Sequence, residues 1–467
     1  MALLMTDPEN GGGPRISGKD GVGGHAVNDN ALGDEAPSAV IEPTKPRLFE
    51  LLGPGLVTGA SDDDPSGIAT YSQAGAQFGL GLSWSLLFTY PLMSAVQIIS
   101  ARIGRTTGHG IAGNLRRHYP NTLLQVLVGL LIVANTINIG ADLGAMADAA
   151  RLLVGGNQFA LVFAFAGVSI AMQILLQYQR YVSVLKWLAA TLLAYVICAV
   201  LIDISWRDVL KSLVVPRLQW NAGYLTALVA ILGTTISPYL FFWQASQEVE
   251  DLHEEPRRKP LVKDRNGGVA ALGRIRLDTM VGMAISNLIA LAILISMAAV
   301  AAKSGASTIE TSAQAAEALR PVAGPYAFAL FAAGVIGTGL LAVPVLAGSA
   351  AYAVGEARQW PVGLGRRPLE ARAFYGTIAV ATALGTLLNL APINPIQALF
   401  WSAVLNGVVA VPVMAAMMLM ARRSDVMGRW VIGRPLQLLG WTATLIMTLC
   451  VSGMLVLSLL PRLTGAS

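Results

Sequence analysis

The chain has 467 residues, is 54% hydrophobic and only 13% charged, and carries a mean hydropathy of +0.60. A soluble domain has about 25% charged residues, so the composition excludes an ordinary water-soluble enzyme or binding module. The net charge of +5 calls for no nucleic-acid partner, because the Lys and Arg residues gather in the loops between apolar blocks.

Residues 1–46 are rich in Gly, Asp, Asn and Pro and have no apolar period. They lack the compact apolar core of a signal peptide, and a disordered cytoplasmic tail is expected. Beyond them, apolar residues come in blocks of about 20 to 28, each able to cross a ~30 Å hydrocarbon core as a helix. A spanning backbone must satisfy its own hydrogen bonds, and the alternating ~10-residue segments of a membrane barrel are not seen. An all-α polytopic membrane protein is predicted. Its eleven spans lie near 48–78, 81–104, 122–151, 158–177, 181–203, 222–249, 275–302, 325–353, 373–390, 395–421 and 436–460. They form a single transmembrane domain at 47–461, with a short extracytoplasmic tail at 462–467.

Cytoplasmic loops collect Lys and Arg. With the N-terminus inside, only Arg151, Arg207, Lys211, Arg217, Lys303, Arg320 and Arg462 of the 32 fall on the outer side. The expectation is therefore a multi-pass protein of a bacterial inner membrane, N-terminus cytoplasmic and C-terminus extracytoplasmic. Cys198 and Cys450 lie inside predicted spans and form no ligand cluster or disulfide pattern. His25, His109, His118 and His253 all fall in the tail or cytoplasmic loops, so no intramembrane imidazole is expected.

Two predicted helices are interrupted alike. The first contains Ser61-Asp62-Asp63-Asp64-Pro65-Ser66-Gly67, and the sixth contains Gly233-Thr234-Thr235-Ile236-Ser237-Pro238-Tyr239. Proline removes a donor and clashes with the preceding turn, and glycine permits non-helical dihedrals. Either break alone reads more simply as a kink. Together, at the same place in each half, they point to a midplane site in an inverted-repeat transporter. An odd number of spans, five, separates the breaks, so the second half enters from the opposite side. The arrangement is an inverted 5+5 repeat with broken helices 1 and 6 and an appended eleventh helix.

Three successive aspartates inside a span are costly, at roughly 2.5–3.5 kcal/mol each on insertion scales, and such residues usually mark an ion path. Asp64, just before the proline, is best placed to meet a cation. Asp62 and Asp63 either share in coordination or face an aqueous vestibule and add negative potential. The other donors at the breaks are hard oxygens: the Thr234, Thr235 and Ser237 hydroxyls and freed carbonyls. Such donors suit Mg²⁺, Ca²⁺ and Mn²⁺, whereas thioether and imidazole favour later transition metals. On the third span, Asp142 either lines the path or pairs with another helix, and Asp148 is expected to be solvated. Asn287 and Asn406 are expected to be interhelical hydrogen-bond partners rather than ligands. No nucleophile–base pair or phosphate loop appears, so an enzyme is not expected.

At these residues the chain resembles the natural-resistance-associated macrophage protein (Nramp) family of divalent-metal transporters. That family carries Asp-Pro-Gly-Asn in its first helix, then Ala-Thr and Gln-Ala-Gly-Ala-Gln. Here the stretch is Asp64-Pro65-Ser66-Gly67-Ile68-Ala69-Thr70, then Gln73-Ala74-Gly75-Ala76-Gln77. Thr107-Gly108 and the segment through Pro120 also look like the family, and the likeness covers roughly 47–460. The resemblance implies a metal held by the first-helix Asp and Asn, the sixth-helix Met sulfur, and a carbonyl three residues before that Met. Asp64 matches the Asp and Thr234 the carbonyl, but Gly67 stands for the Asn and Ser237 for the Met. The loss of the soft ligand, with room opened by smaller side chains, looks like the Nramp-related magnesium transporters, which carry Mg²⁺ and also Mn²⁺. The family's proton route uses a sixth-helix His, here Tyr239, and a third-helix acidic pair, of which Asp142 remains and Ala145 replaces the Glu.

The expected function is thus an alternating-access importer of Mg²⁺ and Mn²⁺ without proton coupling. Asp64, Gly67, Thr234 and Ser237 hold the ion, and Asp62, Asp63, Thr235, Tyr239 and Asp142 lie on its path. No resident cofactor is expected, and the partners implied are the ion and the lipid bilayer, with no protein or nucleic acid. The alternatives are a proton-coupled Mn²⁺/Fe²⁺ importer and, further off, a sodium-coupled amino-acid carrier of the same architecture.

Overall fold

The computed structural model describes residues 58–59, 61–175, 190–202, 204–254, 258–264, 268–305 and 308–464. The expected tail at 1–46, the start of the first span and the junction of the fourth and fifth spans lie outside these residues, as do 465–467. The described chain is helical. The first break produces α1 (Pro65–Phe78), and α2 (Ser83–Thr107) follows after a short 3₁₀ turn. Next come α3 (Ile111–His118), α4 (Asn121–Val154), α5 (Gln158–Leu175), α6 (Leu193–Leu201) and α7 (Trp206–Val214). The second break separates α8 (Ala222–Thr235) from α9 (Pro238–Glu254). The remainder is α10 (Gly268–Ser304), α11 (Ala327–Arg358), α12 (Arg372–Leu388), α13 (Pro395–Ala421) and α14 (Arg434–Thr464).

Among the described residues eight helical stretches are long and apolar enough to cross a membrane, or nine if the bent pair α6 and α7 counts as one. Eleven separate spans are not seen, for identifiable reasons. The first and second run together as one stretch, Pro65–Thr107, and α12 is shorter than the rest. Much of the predicted fifth span lies outside the described residues. The last helix continues through Thr464, so residues 462–464 are helical. The outer helix α7, with Trp206 and Leu210 exposed, had no counterpart among the predicted elements.

Local chemistry explains the boundaries. Asp64 caps α1 with its side chain, and Pro65 sits in the first turn, where the N–H it lacks would have no intrahelical acceptor. Asn394 and Pro395 start α13 in the same way. Gly108 closes α2 in the left-handed region at φ 72°.

The packing divides into two sets. In one, α4 lies against α11, α12 and α5; in the other, α1 packs on α10, and α2 on α9 and α10. The pairing of α1 with α10 is repeated as α9 with α2, as two halves of one repeat require. Helix α13 borders both sets, touching α4, α1 and α8. Its approach to α8 depends on glycine: a Cβ at Gly233 would strike the backbone of Ala403 and Gly407, a small-residue contact of the kind that lets membrane helices close up.

At the end of the bundle that collects cationic residues, Glu356 of α11 accepts from the Gly110 and Gly113 amides at 2.8 and 2.9 Å, holding α3 in place. Arg274 of α10 pairs with Glu248 at 2.6 Å and Asp251 at 3.4 Å, both on α9. His109 lies beside these contacts, where burial and the Arg117 charge push its imidazole down to about 4 and keep it neutral at pH 7.

Candidate functional site at the two helix breaks

Both breaks fall where proline dictates. The chain bends at Asp63, leaves helical geometry at Asp64 and resumes at Pro65. The second half repeats this at Ile236, Ser237 and Pro238. The breaks touch: a Cβ on Gly67 would lie 3.2 Å from Thr234 Oγ1, 3.3 Å from the Tyr71 ring and 3.4 Å from the Asp62 carbonyl. Glycine therefore opens no empty volume there. A Cβ there would already be tight against Thr234 of α8 and Tyr71, so the position leaves less room than the missing side chain implies.

Asp64 is 1% exposed and is the hub of the site. Its Oδ1 accepts from Ser66 Oγ at 2.6 Å and from the Gly67 amide at 2.8 Å. Its Oδ2 accepts from Asn138 Nδ2 on α4 and from the Tyr239 hydroxyl on α9, each at 3.2 Å. Tyr239 also donates to the Ser61 carbonyl at 3.1 Å. One carboxylate thus joins both broken helices and α4. The two donors from other helices hold the outer oxygen by long bonds, and a cation at Oδ2 would replace them.

Ser237 donates to the Gly233 and Thr234 carbonyls at 2.7 and 2.8 Å, satisfying acceptors that the break frees and leaving its oxygen lone pairs available. Thr235 likewise donates within its own helix, to the Ile231 carbonyl at 2.9 Å.

Asp62 and Asp63 do not face a watery vestibule. They are buried against α10, where Ser286 Oγ lies 2.6 Å from Asp62 Oδ2 and 3.1 Å from Asp63 Oδ1. Asp142 is fully buried with neither carboxylate oxygen bonded, so pairing with another helix is not what holds it. Asp148 is only partly exposed and accepts from Ser312 at 2.7 Å. Asn406 is 1% exposed with neither amide atom partnered, contrary to the interhelical role expected of it, and Asn287 Oδ1 is also unpartnered. Among the described residues no three His, Cys, Asp or Glu side chains are placed to enclose a metal ion. None of Asp62, Asp63, Asp64 and Asp142 has a Lys or Arg ion-pair partner among the described residues. Four buried carboxyl groups thus lie without a basic partner among the described residues, and a cation would be the natural complement of their ionised form.

Sequence reasoning missed Ser66, Asn138, Ser286 and Ser402. Asn138 carried a signal, since it lies one turn from Asp142 on the same face of α4. Ser286 yields a direct expectation. Its single proton serves two buried carboxylates, so Ser286→Ala leaves both without that donor, at about 1–3 kcal/mol for each group left unsatisfied. Thermal unfolding in detergent is expected to show a clearly lower midpoint for Ser286→Ala, with Ser286→Thr close to the parent. Equal midpoints would remove Ser286 from the account.

Comparison with known proteins places these features in context. The family model described as natural resistance-associated macrophage protein-like matches residues 55–457. A divalent metal cation transporter, MntH, of Burkholderia ambifaria is 27% identical over 416 residues, covering 85% of this chain and 87% of that protein. The MntH of Chromohalobacter salexigens is 29% identical over 308 residues, or 64% of this chain and 68% of the relative. Among solved structures, the Eremococcus coleocola manganese transporter, crystallised with an aromatic bis-isothiourea substituted compound, has a TM-score of 0.67 at 16% identity. The match covers 90% of this chain and 89% of that one, and the two share a fold.

Proposed function

The chain belongs to the Nramp family, and on that premise we propose that it imports Mg²⁺, and Mn²⁺ with it, by alternating access at Asp64 without proton coupling. Transport of divalent cations is the activity for which its relatives are named. The choice of ion within that class rests on one observation, the donor set around Asp64. Every hydrogen-bonding partner of its carboxylate comes from a hydroxyl or an amide, supplied by Ser66, Gly67, Asn138 and Tyr239. At the second break the Ser237 hydroxyl and the Thr234 carbonyl add oxygen, and neither break segment, 61–67 or 233–239, contains Met, Cys or His. Hard oxygen donors suit Mg²⁺ and Mn²⁺, and Mg²⁺ takes one or two carboxylates while keeping several waters.

Gly67 offers the cation only its carbonyl, and Asp62, Asp63 and Asp142 enter as surrounding negative charge. The movement is one helix set against the other, the α1–α2–α9–α10 group against the α4–α11–α12 group, with the break between α8 and α9 as hinge. We place the N-terminus in the cytoplasm of a bacterial cell, from the distribution of Lys and Arg.

Energetics follow from the same residues. Tyr239 stands where a titratable imidazole would carry a proton, and phenol with an ordinary pKa near 10 is a poor carrier at pH 7. The membrane potential supplies the drive, at ~4.6 kcal/mol per 100 mV for a divalent ion from ~2.3 per charge. Purified protein in proteoliposomes is therefore expected to take up metal without acidifying the lumen, and faster when the lumen is made negative. A pH fall stoichiometric with metal entry would instead establish the second reading, a proton-coupled Mn²⁺/Fe²⁺ importer.

A further inference from the structure

We propose that Asn138 of α4 supplies the amide oxygen that position 67 does not, by an amide flip governed by the Ser402 hydroxyl of α13. The inference rests on Asp64 being the cation site.

Asn138 is fully buried and presents Nδ2 to Asp64 Oδ2 at 3.2 Å. Its oxygen is turned the other way and accepts from Ser402 Oγ at 2.8 Å. In this orientation the amide stabilises a bare carboxylate. Once a cation sits at Oδ2 the same orientation is repulsive, because N–H bonds then point at positive charge. Rotation about the amide by half a turn presents Oδ1 to the cation and swings the NH₂ group to Ser402.

Ser402 is built to accept that exchange. Its hydroxyl has one proton and two acceptors in reach, Asn138 Oδ1 at 2.8 Å and the Leu399 carbonyl of its own helix at 2.7 Å. With the proton on Asn138, the amide faces Asp64 as donor. With the proton turned to Leu399, the Ser402 lone pairs receive Asn138 N–H, and the amide oxygen is free for the ion. With a cation at Oδ2 the flipped amide has a partner at each end, whereas without one its oxygen would face the Asp64 carboxylate, so it is the cation that selects the flipped state. The carbonyl at Leu399 fixes the alternative in the backbone of α13, and a Cβ at Gly67 has no such freedom because Thr234 and Tyr71 confine it. The amide ligand is thus moved from the broken helix to α4, in the opposite helix set, and joins the ion only when the two sets meet.

The test is binding and flux of Mg²⁺ and Cd²⁺ with purified Asn138→Leu, Asn138→Met, Ser402→Ala and Ser402→Thr, with Asp64→Asn alongside. Loss of one oxygen donor should raise the Mg²⁺ Kd about tenfold in Asn138→Leu, equivalent to ~1.4 kcal/mol. Asn138→Met should do the same for Mg²⁺ while tightening Cd²⁺, because a thioether is a soft donor. Ser402→Ala should weaken Mg²⁺ several-fold, and Ser402→Thr should restore it. A structural role confined to bracing Asp64 would move both ions together. An unchanged Mg²⁺-to-Cd²⁺ ratio in both Asn138 variants would overturn the proposal, and if Asp64→Asn abolishes flux in the same series the carrier reading stands without it. If Asp64→Asn itself transports normally, the site assignment fails and this inference falls with it.

Discussion

Asp64→Asn should fold, insert and show no measurable divalent-ion flux. Asparagine keeps an acceptor oxygen for the Ser66 hydroxyl and the Gly67 amide, so the cap of α1 survives. Asp64→Ala would strip all four donors of their acceptor and forfeit the cap as well, about 0.5–2 kcal/mol for the cap alone. The loss of activity in Asp64→Asn is therefore the cleaner result. Removing the carboxylate that joins both breaks takes away the charge on which the proposed site is centred. A fall of at least a hundredfold, some ~2.8 kcal/mol at ~1.4 per tenfold, is expected in flux and in Kd. Asp62 and Asp63 cannot substitute, because they are turned to Ser286 on α10. Flux within severalfold of the parent would move the site to that pair.

The second large effect is on selectivity. Ser237→Met places a thioether beside the Thr234 carbonyl, where the Ser237 hydroxyl now stands. Softer ions gain from sulfur and Mg²⁺ does not, so Cd²⁺ binding should tighten by about tenfold or more while Mg²⁺ weakens. The Ser237 hydroxyl also caps the Gly233 and Thr234 carbonyls, so a modest loss of stability should accompany the change. Combining it with Gly67→Asn is a poorer test, since a Cβ at position 67 would already be tight against Thr234 and Tyr71. Isothermal titration with both ions reads the outcome, and a parallel shift for Mg²⁺ and Cd²⁺ would mean that Ser237 does not reach the ion.

These residues also show what a sequence carries and what it does not. The two breaks were legible because proline acts locally: it removes a donor and excludes the preceding turn wherever it is placed in a helix. Asp64 was legible as their consequence, being the acidic residue at the point where α1 must be capped. The direction in which Asp62 and Asp63 point was not legible. At a helix break the 3.6-residue period no longer says which side a residue presents, and only the packing of α10 turns them to Ser286. Asn138 and Ser402 come from helices far away in the chain, and spacing within α4 or α13 says nothing of their meeting. The reading of Gly67 failed for a related reason. A missing side chain implies space only if no neighbour fills it, and here the second broken helix does.

The central claim is that an oxygen-only site centred on Asp64 accepts Mg²⁺, and one measurement tests it most directly. Proteoliposomes containing the purified protein, held at an inside-negative potential, are given Mn²⁺ with rising external Mg²⁺, and entry of both ions is followed. The account predicts Mg²⁺ entry in its own right and inhibition of Mn²⁺ uptake at millimolar Mg²⁺. Mn²⁺ uptake that Mg²⁺ neither shares nor inhibits would contradict it, and would leave a manganese importer whose selectivity comes from something other than the hardness of its donors.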